Sequence, residues 1–261
     1  MKYVIIVPTY NEVDNIRPLI GQLQAQFLRL THDMHILIVD DNSPDGTAKV
    51  VKELQQQYQN LHLIQGEKAG LGAAYVRGMT HAMGPLGAEA VFEMDTDLSH
   101  KPEDVPRLIA ALEAGADFVI GSRYVRGGSI PKEWGLRRRL NSKVANFVAR
   151  HVAGIHGVRD CTAGFRAIRT SLLSRISLSD LKVQGYVFQL ALLFEAKVRG
   201  AKIVEVPVDF IDRTKGVSKL GLSDIIEFII HAWWLRFRSS TTVVKRLIVG
   251  ASGTVVNVGL F

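Results

Sequence analysis

Residues 3–12 read Tyr3-Val4-Ile5-Ile6-Val7-Pro8-Thr9-Tyr10-Asn11-Glu12. The apolar run from Tyr3 to Pro8 is rich in β-branched side chains and has no polar interruption. Such a run predicts a strand that is buried on both faces of a sheet. The polar residues after it predict a loop at the end of that strand.

Strand and helix patterns alternate after this first strand. The predicted strands are residues 3–8, 36–39, 61–64, 90–94 and 118–120, and the predicted helices are residues 16–30, 47–58, 70–83 and 105–114. Alternation of this kind predicts an α/β fold with a mostly parallel sheet flanked by helices. Ligands of such sheets lie at the carboxyl ends of the strands. We therefore expect a site where the first, second and fourth strands end.

The composition limits the class of protein. The chain has 261 residues, of which 47% are hydrophobic and 22% charged, enough for one core and a small appendage. A single cysteine, Cys161, excludes an intrachain disulfide and favours a reducing compartment, and the N-terminus lacks the pattern of a signal peptide. The net charge is +7, with basic clusters at residues 123–139 and 236–246. The second cluster lies beside the most apolar part of the chain, which favours a membrane surface over nucleic acid as the partner.

Polar clusters follow the first, second and fourth predicted strands, at residues 8–12, 40–46 and 95–100. Asn11, Ser43 and Asp45 are candidates for helix capping, which does not exclude a ligand role. The adjacent carboxylates Asp40 and Asp41 repel each other unless a cation or a hydrogen-bond donor is nearby. The base N–H and ribose hydroxyls of a nucleoside would supply such donors.

The third cluster, Asp95-Thr96-Asp97-Leu98-Ser99-His100, has the ligands of a hard divalent cation. Oxygen-only ligands suit Mg²⁺ or Mn²⁺, and a metal held by one or two carboxylates is commonly completed by a diphosphate. An isolated Asp-x-Asp is a weak signal, but its place after a buried strand strengthens it. We leave His100 outside the metal set because a lone histidine is more often structural.

Two other nucleotide-binding classes lack their sequence signatures. No Gly-x-Gly-x-x-Gly follows the first strand, and no Walker-type Gly-Lys-Ser/Thr occurs. Hydride transfer and P-loop chemistry are therefore disfavoured. The glycine-rich residues 68–72 follow the third strand and predict a turn that lets a helix begin close to the sheet.

The three clusters, in this order, resemble those of the family 2 glycosyltransferases, and among them the dolichyl-phosphate (polyprenol monophosphate) mannose synthases. Further matching strings are Gly121-Ser122-Arg123-Tyr124, Gly185-Tyr186-Val187-Phe188-Gln189 and residues 213–221. The resemblance spans residues 3–240 and implies a GT-A type nucleotide-sugar fold. It also implies inverting transfer of mannose from GDP-mannose to dolichyl or polyprenyl phosphate, giving a β-linked product. Residues 185–189 themselves predict a packed helix start that shapes the pocket.

The resemblance implies roles for residues that would bind the donor. The guanosine pocket would be lined by Pro8, Tyr10, Glu12, Val39 and Asp41. Asp95 and Thr96 would contact the sugar nucleotide, while Mg²⁺ or Mn²⁺ would be held mainly by Asp97, with Asp95 and Ser99 as further ligands. Some relatives have glutamine at the position of Ser99. Serine is the weaker metal ligand of the two, and a water could take its place.

Cationic residues would bind the phosphates. The resemblance implies that Arg213 and Lys219 grip the donor diphosphate, and that Arg123, Arg138 and Ser142 hold the lipid phosphate, with Arg123 also near the nucleotide sugar. The implied catalytic set is Asp97, Arg123, Arg138, Ser142 and Arg213. The choice of Arg138 over Arg137 and Arg139 depends on a variable spacing.

The second half of the chain carries membrane signals. Residues 222–237 are amphipathic, with Trp233 and Trp234 near the end and arginine after them, which favours an interface helix. A helix packed on the catalytic domain is the alternative. Residues 247–261 are apolar but shorter than the roughly 20 residues of a span. We expect a catalytic domain at 1–220, an interface helix at 221–240 and a partial transmembrane segment at 241–261, with the catalytic domain on the cytoplasmic face.

Two other functions remain open at this stage. One is a UDP-glucose-dependent polyprenyl-phosphate glucosyltransferase, since the residues do not separate guanine from uracil. The other is a membrane-tethered protein that binds nucleotide sugars without turnover. A nucleic-acid partner rests on charge alone and is not expected.

Overall fold

A mixed sheet forms the centre of the computed structural model, which describes residues 1–181, 185–212 and 226–237, the side chains of 185 and 186 excepted. The described residues form a seven-stranded sheet of β1 (Lys2–Thr9), β2 (Asp33–Asp40), β3 (Leu61–Gln65), β4 (Ala90–Glu93), β5 (Phe118–Ser122), β6 (Arg166–Arg169) and β7 (Ile203–Pro207). Their order is β3-β2-β1-β4-β6-β5-β7. Only β6 runs antiparallel to its neighbours within this sheet. The predicted α/β class with a mostly parallel sheet is confirmed.

The helices are α1 (Val13–Phe27), α2 (Thr47–Gln55), α3 (Leu71–Met83), α4 (Val105–Glu113), α5 (Leu136–His151), α6 (Thr170–Leu173) and α7 (Gly185–Val198). Residues 226–237 are also helical, and short 3₁₀ turns occur at Pro102–Asp104 and Leu178–Asp180. The predicted boundaries differ at the ends: α1 begins and ends three residues earlier than residues 16–30, and α2 stops at Gln55.

The sheet is buried on both faces. In β1, Val4 and Ile6 belong to a core cluster with residues of α3, α5 and α7, whereas Ile5 and Val7 belong to one with residues of α1, α2 and α4. This alternation follows from the two-residue period of a strand. On the first face, a Cβ at Gly78 would lie 2.5 Å from Ile6 Cγ2, so only glycine lets α3 lie this close to β1. This close approach sets α3 directly over the strands that carry the polar clusters.

Several elements were not predicted from the sequence. The strand β6 contains Arg166, which is fully buried, so it lacks the apolar run by which β1 to β5 were found. The helix α5 carries the arginine run 137–139, for which the sequence had predicted no secondary structure. The strand β7 pairs in parallel with β5 and closes the sheet edge.

The helical residues 226–237 have two distinct faces. Phe228, Ala232 and Leu235 are buried in the core cluster that includes α5 and α7 residues. The opposite face is exposed and carries Ile226, Ile230, Trp233, Trp234 and Phe237. Packing on the core of the α/β fold and exposure of an apolar face therefore coexist. In the described ranges, no helix is long and apolar enough to cross a bilayer, and the predicted segment 241–261 lies outside those ranges.

Candidate functional site

A cavity of about 840 Å³ opens where β1, β2 and β4 end. One half, called the donor half after the role that the sequence resemblance implies, is lined by Pro8, Thr9, Tyr10, Glu12, Asp41, Lys68, Asp95, Thr96, Asp97 and Ser99. The other, the acceptor half, is lined by Arg123, Trp134, Arg137, Arg138, Asn141, Ser142 and Thr162. The two halves differ in charge: carboxylates dominate the first and guanidinium groups the second.

Hydrogen bonds tie the loops after β1 and β2 together. Buried Asp40 accepts from Thr9 Oγ1 at 2.9 Å and from the Ser43 N–H at 3.0 Å. Ser43 Oγ in turn accepts from the N–H of Asn11, which adopts a φ of +60°. Asp40 is thus a structural residue that fixes the two loops, and Ser43 bonds the opposite loop rather than its own helix.

Asp45 serves the starts of two helices. Its Oδ1 accepts from the Thr47 N–H at 3.0 Å, at the start of α2, and its Oδ2 accepts from the Val13 N–H at 3.1 Å, at the start of α1. Asp45 thus accepts from the first N–H of both helices and joins α1 to α2, although Glu12 and Gly46 occupy the N-cap positions and make no side-chain capping bond.

Asp41 faces the cavity with a cationic partner from α3. Arg77 Nη2 forms an ion pair with Asp41 Oδ1. The cation that the Asp40–Asp41 pair required is thus Arg77, and Asp41 can still accept from a ligand with its remaining lone pairs. Lys68 Nζ lies 3.4 Å from the centroid of the Tyr10 ring, so the glycine-rich segment after β3 also reaches the cavity.

The loop after β4 is held from three sides. Thr96 Oγ1 donates to the carbonyl oxygen of Pro8 at 2.7 Å, and Asp97 Oδ1 accepts from the Ser99 N–H at 3.1 Å. Leu98 adopts a φ of +61° at the turn between them. His100 Nδ1 accepts from the Asp95 N–H at 3.2 Å. These contacts hold the loop so that Asp95 and Asp97 both line the cavity.

His100 acts as a neutral support for this loop. Its ring stacks on Phe165 with centroids 5.2 Å apart, and burial lowers the pKa of His100 despite the nearby Asp95 and Asp97. A neutral ring with Nδ1 as acceptor carries its proton on Nε2. His100 therefore positions Asp95 and is not needed as a metal ligand.

The donor half fits a hard divalent cation. Asp95, Asp97 and Ser99 offer only oxygens, and Ser99 Oγ is buried with no hydrogen-bond partner among the described residues. Burial raises the pKa of Glu12, and the charges of Asp97, Asp45 and Asp95 raise it further. Such a concentration of carboxylates favours a bound cation. Within the described ranges no three His, Cys, Asp or Glu side chains form a complete metal cage.

The acceptor half begins with a buried ion pair. Arg123 Nε and Nη2 donate to the two carboxylate oxygens of Asp160, each at 2.7 Å, and Nη2 also donates to Thr162 Oγ1 at 2.9 Å. Burial alone would raise the pKa of Asp160, but the ion pair and hydrogen bonds with Arg123 bring it below its usual value. Arg123 thus lines the cavity with its charge already balanced by a carboxylate.

Residues of α5 and the loop before it complete this half. Arg138 Cζ lies 4.0 Å from the centroid of the Trp134 ring, and Arg138 Nη1 donates to Asp212 Oδ1 at 2.8 Å. Ser142 Oγ and the Tyr124 hydroxyl are 2.7 Å apart. Arg137 also lines the cavity, whereas Arg139 donates to the Lys132 carbonyl oxygen and is not among the lining residues. Arg213 and Lys219 lie outside the described residues.

Most of the predicted site residues that the structure describes come together in this cavity. Val39 differs, because its side chain is fully buried in the core, close to Gly78 of α3, and is not among the lining residues. The sequence interpretation missed Lys68, Arg77, Trp134 and Asp160, and it gave Gln189 only a part in shaping the pocket. No local motif marks Asp160 or Arg77, since each is placed by contacts between distant segments.

Comparisons with known proteins agree with this geometry. Residues 4–177 match the family described as Glycosyl transferase family 2. The chain is 42% identical over 239 residues to the polyprenol monophosphomannose synthase of Mycolicibacterium smegmatis, covering 90% of this chain and 88% of that protein. It is 36% identical over 262 aligned positions to the dolichol-phosphate mannosyltransferase of Pyrococcus furiosus, covering 99% of this chain and 71% of that protein.

Solved structures share the fold at low sequence identity. The mannosyl-3-phosphoglycerate synthase of Rubrobacter xylanophilus superposes with a TM-score of 0.67 at 19% identity, covering 93% of this chain and 75% of that one. The glucosyl-3-phosphoglycerate synthase of Mycobacterium tuberculosis, in complex with Mn²⁺, UDP-glucose and phosphoglyceric acid, superposes with a TM-score of 0.63 at 18% identity, covering 90% and 80%. These two likenesses support the GT-A type of fold alone.

Proposed function

This chain belongs to glycosyl transferase family 2, and we propose that it transfers mannose from GDP-mannose to dolichyl or polyprenyl phosphate with inversion. The observation that carries the proposal is that one cavity joins a carboxylate-rich donor half to an arginine-rich acceptor half. A reaction between two anionic substrates needs both halves, because each anion requires its own counter-charge. The names of the two relatives, a mannose synthase and a mannosyltransferase, favour mannose as the sugar.

The donor half would bind the nucleotide diphosphate. Tyr10 and Asp41 suit a base and ribose, since an aromatic face can stack with the base and a carboxylate accepts from hydroxyls. Asp97, Asp95 and Ser99 would hold Mg²⁺ or Mn²⁺. When bound, the cation supplies Lewis-acid stabilisation of the charge on the departing diphosphate.

The acceptor half would hold the lipid phosphate. A phosphate monoester has a second pKa of about 6, so it is mostly dianionic at neutral pH and needs no strong general base. It needs donors that hold it against the repulsion of the donor diphosphate. Arg138, oriented by the Trp134 ring, presents the planar fork that binds phosphate bidentately, and Arg123 and Ser142 add further donors.

The same half suits a membrane surface. Leu136, Leu140, Val144 and Phe147 lie on one exposed face of α5, at helical spacing. Leu140 and Val144 also line the cavity, so apolar side chains lead from the surface to the phosphate-binding residues. With the exposed face of residues 226–237, they form a face that an acceptor lipid can approach while still in the membrane.

The basic residues Lys245 and Arg246 favour the cytoplasmic side of that membrane, because positively charged segments stay on the cytoplasmic side. We propose a membrane-associated protein with its catalytic domain on that face.

The test is transfer of labelled sugar into lipid. The full chain in detergent is incubated with Mn²⁺, a short polyprenyl phosphate and either labelled GDP-mannose or labelled UDP-glucose. We expect lipid-linked label from GDP-mannose only, and none when the acceptor is a polyprenol without phosphate. Transfer from UDP-glucose instead would favour the glucosyltransferase alternative, and nucleotide binding without any lipid product would favour the binding protein.

A further inference from the structure

Gln189 of α7 has a buried side-chain amide without a hydrogen-bond partner among the described residues. It lines the cavity and is 3% exposed. Neither Oε1 nor Nε2 has a hydrogen-bond partner among the described residues. Buried amide groups are nearly always hydrogen-bonded, because an unmade bond costs free energy. An unpartnered amide in the wall of a ligand cavity therefore points to a ligand as the missing partner.

The backbone of Gln189 is held in place. Arg166 Nη1 donates to the Gln189 carbonyl oxygen at 2.7 Å, and Arg166 Nη2 donates to the Cys161 carbonyl oxygen at 2.9 Å. Arg166 itself is fully buried on β6. The backbone that carries the Gln189 side chain is thus held in place, as a selective contact by that side chain requires.

Neighbouring rings connect α7, at Phe188 beside Gln189, with the proposed diphosphate site. The ring of Phe188 stacks on Tyr75, with centroids 5.9 Å apart, and the Tyr75 hydroxyl donates to Asp95 Oδ1 at 3.4 Å. Asp95 belongs to the donor half, and Arg123 and Ser142 line the same cavity on the acceptor side. The transferred sugar must lie between these two sides, within the cavity whose wall includes Gln189.

Glu93 is the internal competitor for this amide. The Glu93 carboxylate is fully buried, and neither of its oxygens has a hydrogen-bond partner among the described residues, although Gln189 is near enough to donate to it. If Nε2 turned to Glu93, Oε1 would still need a donor. A hydroxyl, which both donates and accepts, is complementary to an amide in either orientation.

We infer that Gln189 hydrogen-bonds a hydroxyl of the donor sugar and helps to select that sugar. The inference rests on the proposed function for the class of ligand, a nucleotide sugar. It changes the interpretation of residues 185–189, which the sequence had suggested only to shape the pocket. A glutamine that hydrogen-bonds one sugar hydroxyl discriminates between epimers of that sugar, because the wrong epimer leaves the side-chain amide unpaired.

The test compares the affinities of GDP and GDP-mannose, measured by calorimetry with Mn²⁺ and without acceptor. In Gln189→Ala we expect the GDP affinity to stay within about twofold of wild type and the GDP-mannose affinity to fall about tenfold. The preference of wild type for GDP-mannose over GDP-glucose should shrink by a similar factor. Gln24→Ala, a glutamine paired with Asn60 away from the cavity, is the matched control.

Gln189→Met keeps the volume of the side chain without its polar atoms, so it serves if the alanine variant does not fold. An unchanged GDP-mannose affinity would overturn the inference, as would equal losses of GDP and GDP-mannose affinity, which would mean a structural role. If wild type uses UDP-glucose, the proposed function fails. The same comparison, made with UDP and UDP-glucose, then tests Gln189 on its own.

Discussion

The donor and acceptor halves of the cavity are assembled in different ways. In the donor half, short loops after buried strands bond to one another through Asp40, Ser43 and Thr96. In the acceptor half, Arg123 and Arg138 come from a loop and a helix, and each is paired with a carboxylate from elsewhere in the chain. The first half carries several carboxylates, of which Asp41 is paired with Arg77, whereas the second presents arginines that are paired with Asp160 and Asp212.

This difference predicts where the substrates gain most binding energy. An added cation in the donor half relieves the repulsion of Asp95, Asp97 and Glu12, so its effect should be large. A phosphate entering the acceptor half meets arginines that already have partners, and it must share them with Asp160 and Asp212. We therefore expect substitutions in the donor half to reduce transfer more than those in the acceptor half.

The largest effect should follow Asp97→Ala. Removal of this carboxylate takes away the main proposed ligand of the cation, so the rate of mannose transfer should fall about a thousandfold. Initial rates with labelled GDP-mannose measure the effect. Asp33→Ala, an exposed carboxylate at the start of β2, is the control and should keep its rate. A rate for Asp97→Ala within about tenfold of wild type would mean that the donor half works without this ligand.

The second effect concerns stability in the acceptor half. Asp160→Ala leaves Arg123 buried without its partner, so the free energy of unfolding should fall by about 3 kcal/mol. Urea denaturation at neutral pH measures it. Arg159 is next to Asp160 but has no side-chain ion pair in the described structure. Arg159→Ala should therefore change the free energy of unfolding little. Equal stability of Asp160→Ala and wild type would show that the pair is not structural.

The same ion pair predicts a dependence on pH. Because the folded pKa of Asp160 is lowered, its contribution to stability is fully present above the ordinary pKa of about 4. The contribution is lost as the pH falls through the lower, folded value. Wild type should therefore lose stability more steeply than Asp160→Asn below roughly pH 4. Parallel curves for the two proteins would contradict this assignment.

A smaller effect separates two neighbouring arginines. Arg138→Ala removes a cavity-lining guanidinium, so the KM for polyprenyl phosphate should rise about tenfold while the affinity for GDP stays unchanged. Arg139→Ala removes the same charge from the same helix outside the cavity and should leave both values near wild type. Similar KM changes in the two variants would mean that α5 acts through its overall charge.

The smallest effect tests the apolar face. Trp233 is 62% exposed on the outer face of residues 226–237. Its replacement in Trp233→Ser should weaken binding to anionic lipid vesicles about fivefold without changing GDP affinity. Leu28→Ser removes an exposed apolar side chain at the end of α1 and serves as the control. Equal vesicle binding by both variants would place the membrane contact elsewhere.

The donor half could be predicted because its signals are local. The strand pattern of residues 3–8 and the acidic residues after β2 and β4 each lie within short segments, and parallel strands bring their ends to one edge. Asp40 shows the limit of such prediction: its place at this edge was foreseen, but its structural role depends on Thr9 and Ser43.

The acceptor half could be predicted only in outline. The arginine run 137–139 does not show which side chains face the cavity, since that depends on how α5 packs. The pairing of Arg123 with Asp160 spans 37 residues and carries no periodic signal. The strand β6 was missed because buried Arg166 interrupts its apolar pattern, and its partners lie on other elements.

The most direct test of the account is the affinity of GDP with and without Mn²⁺, measured by calorimetry for wild type and Asp97→Asn. We predict that Mn²⁺ strengthens GDP binding at least about tenfold in wild type and hardly at all in the variant, which keeps the shape of the side chain but loses its charge. The same strengthening in both proteins would contradict the assignment of the cation to the carboxylates after β4.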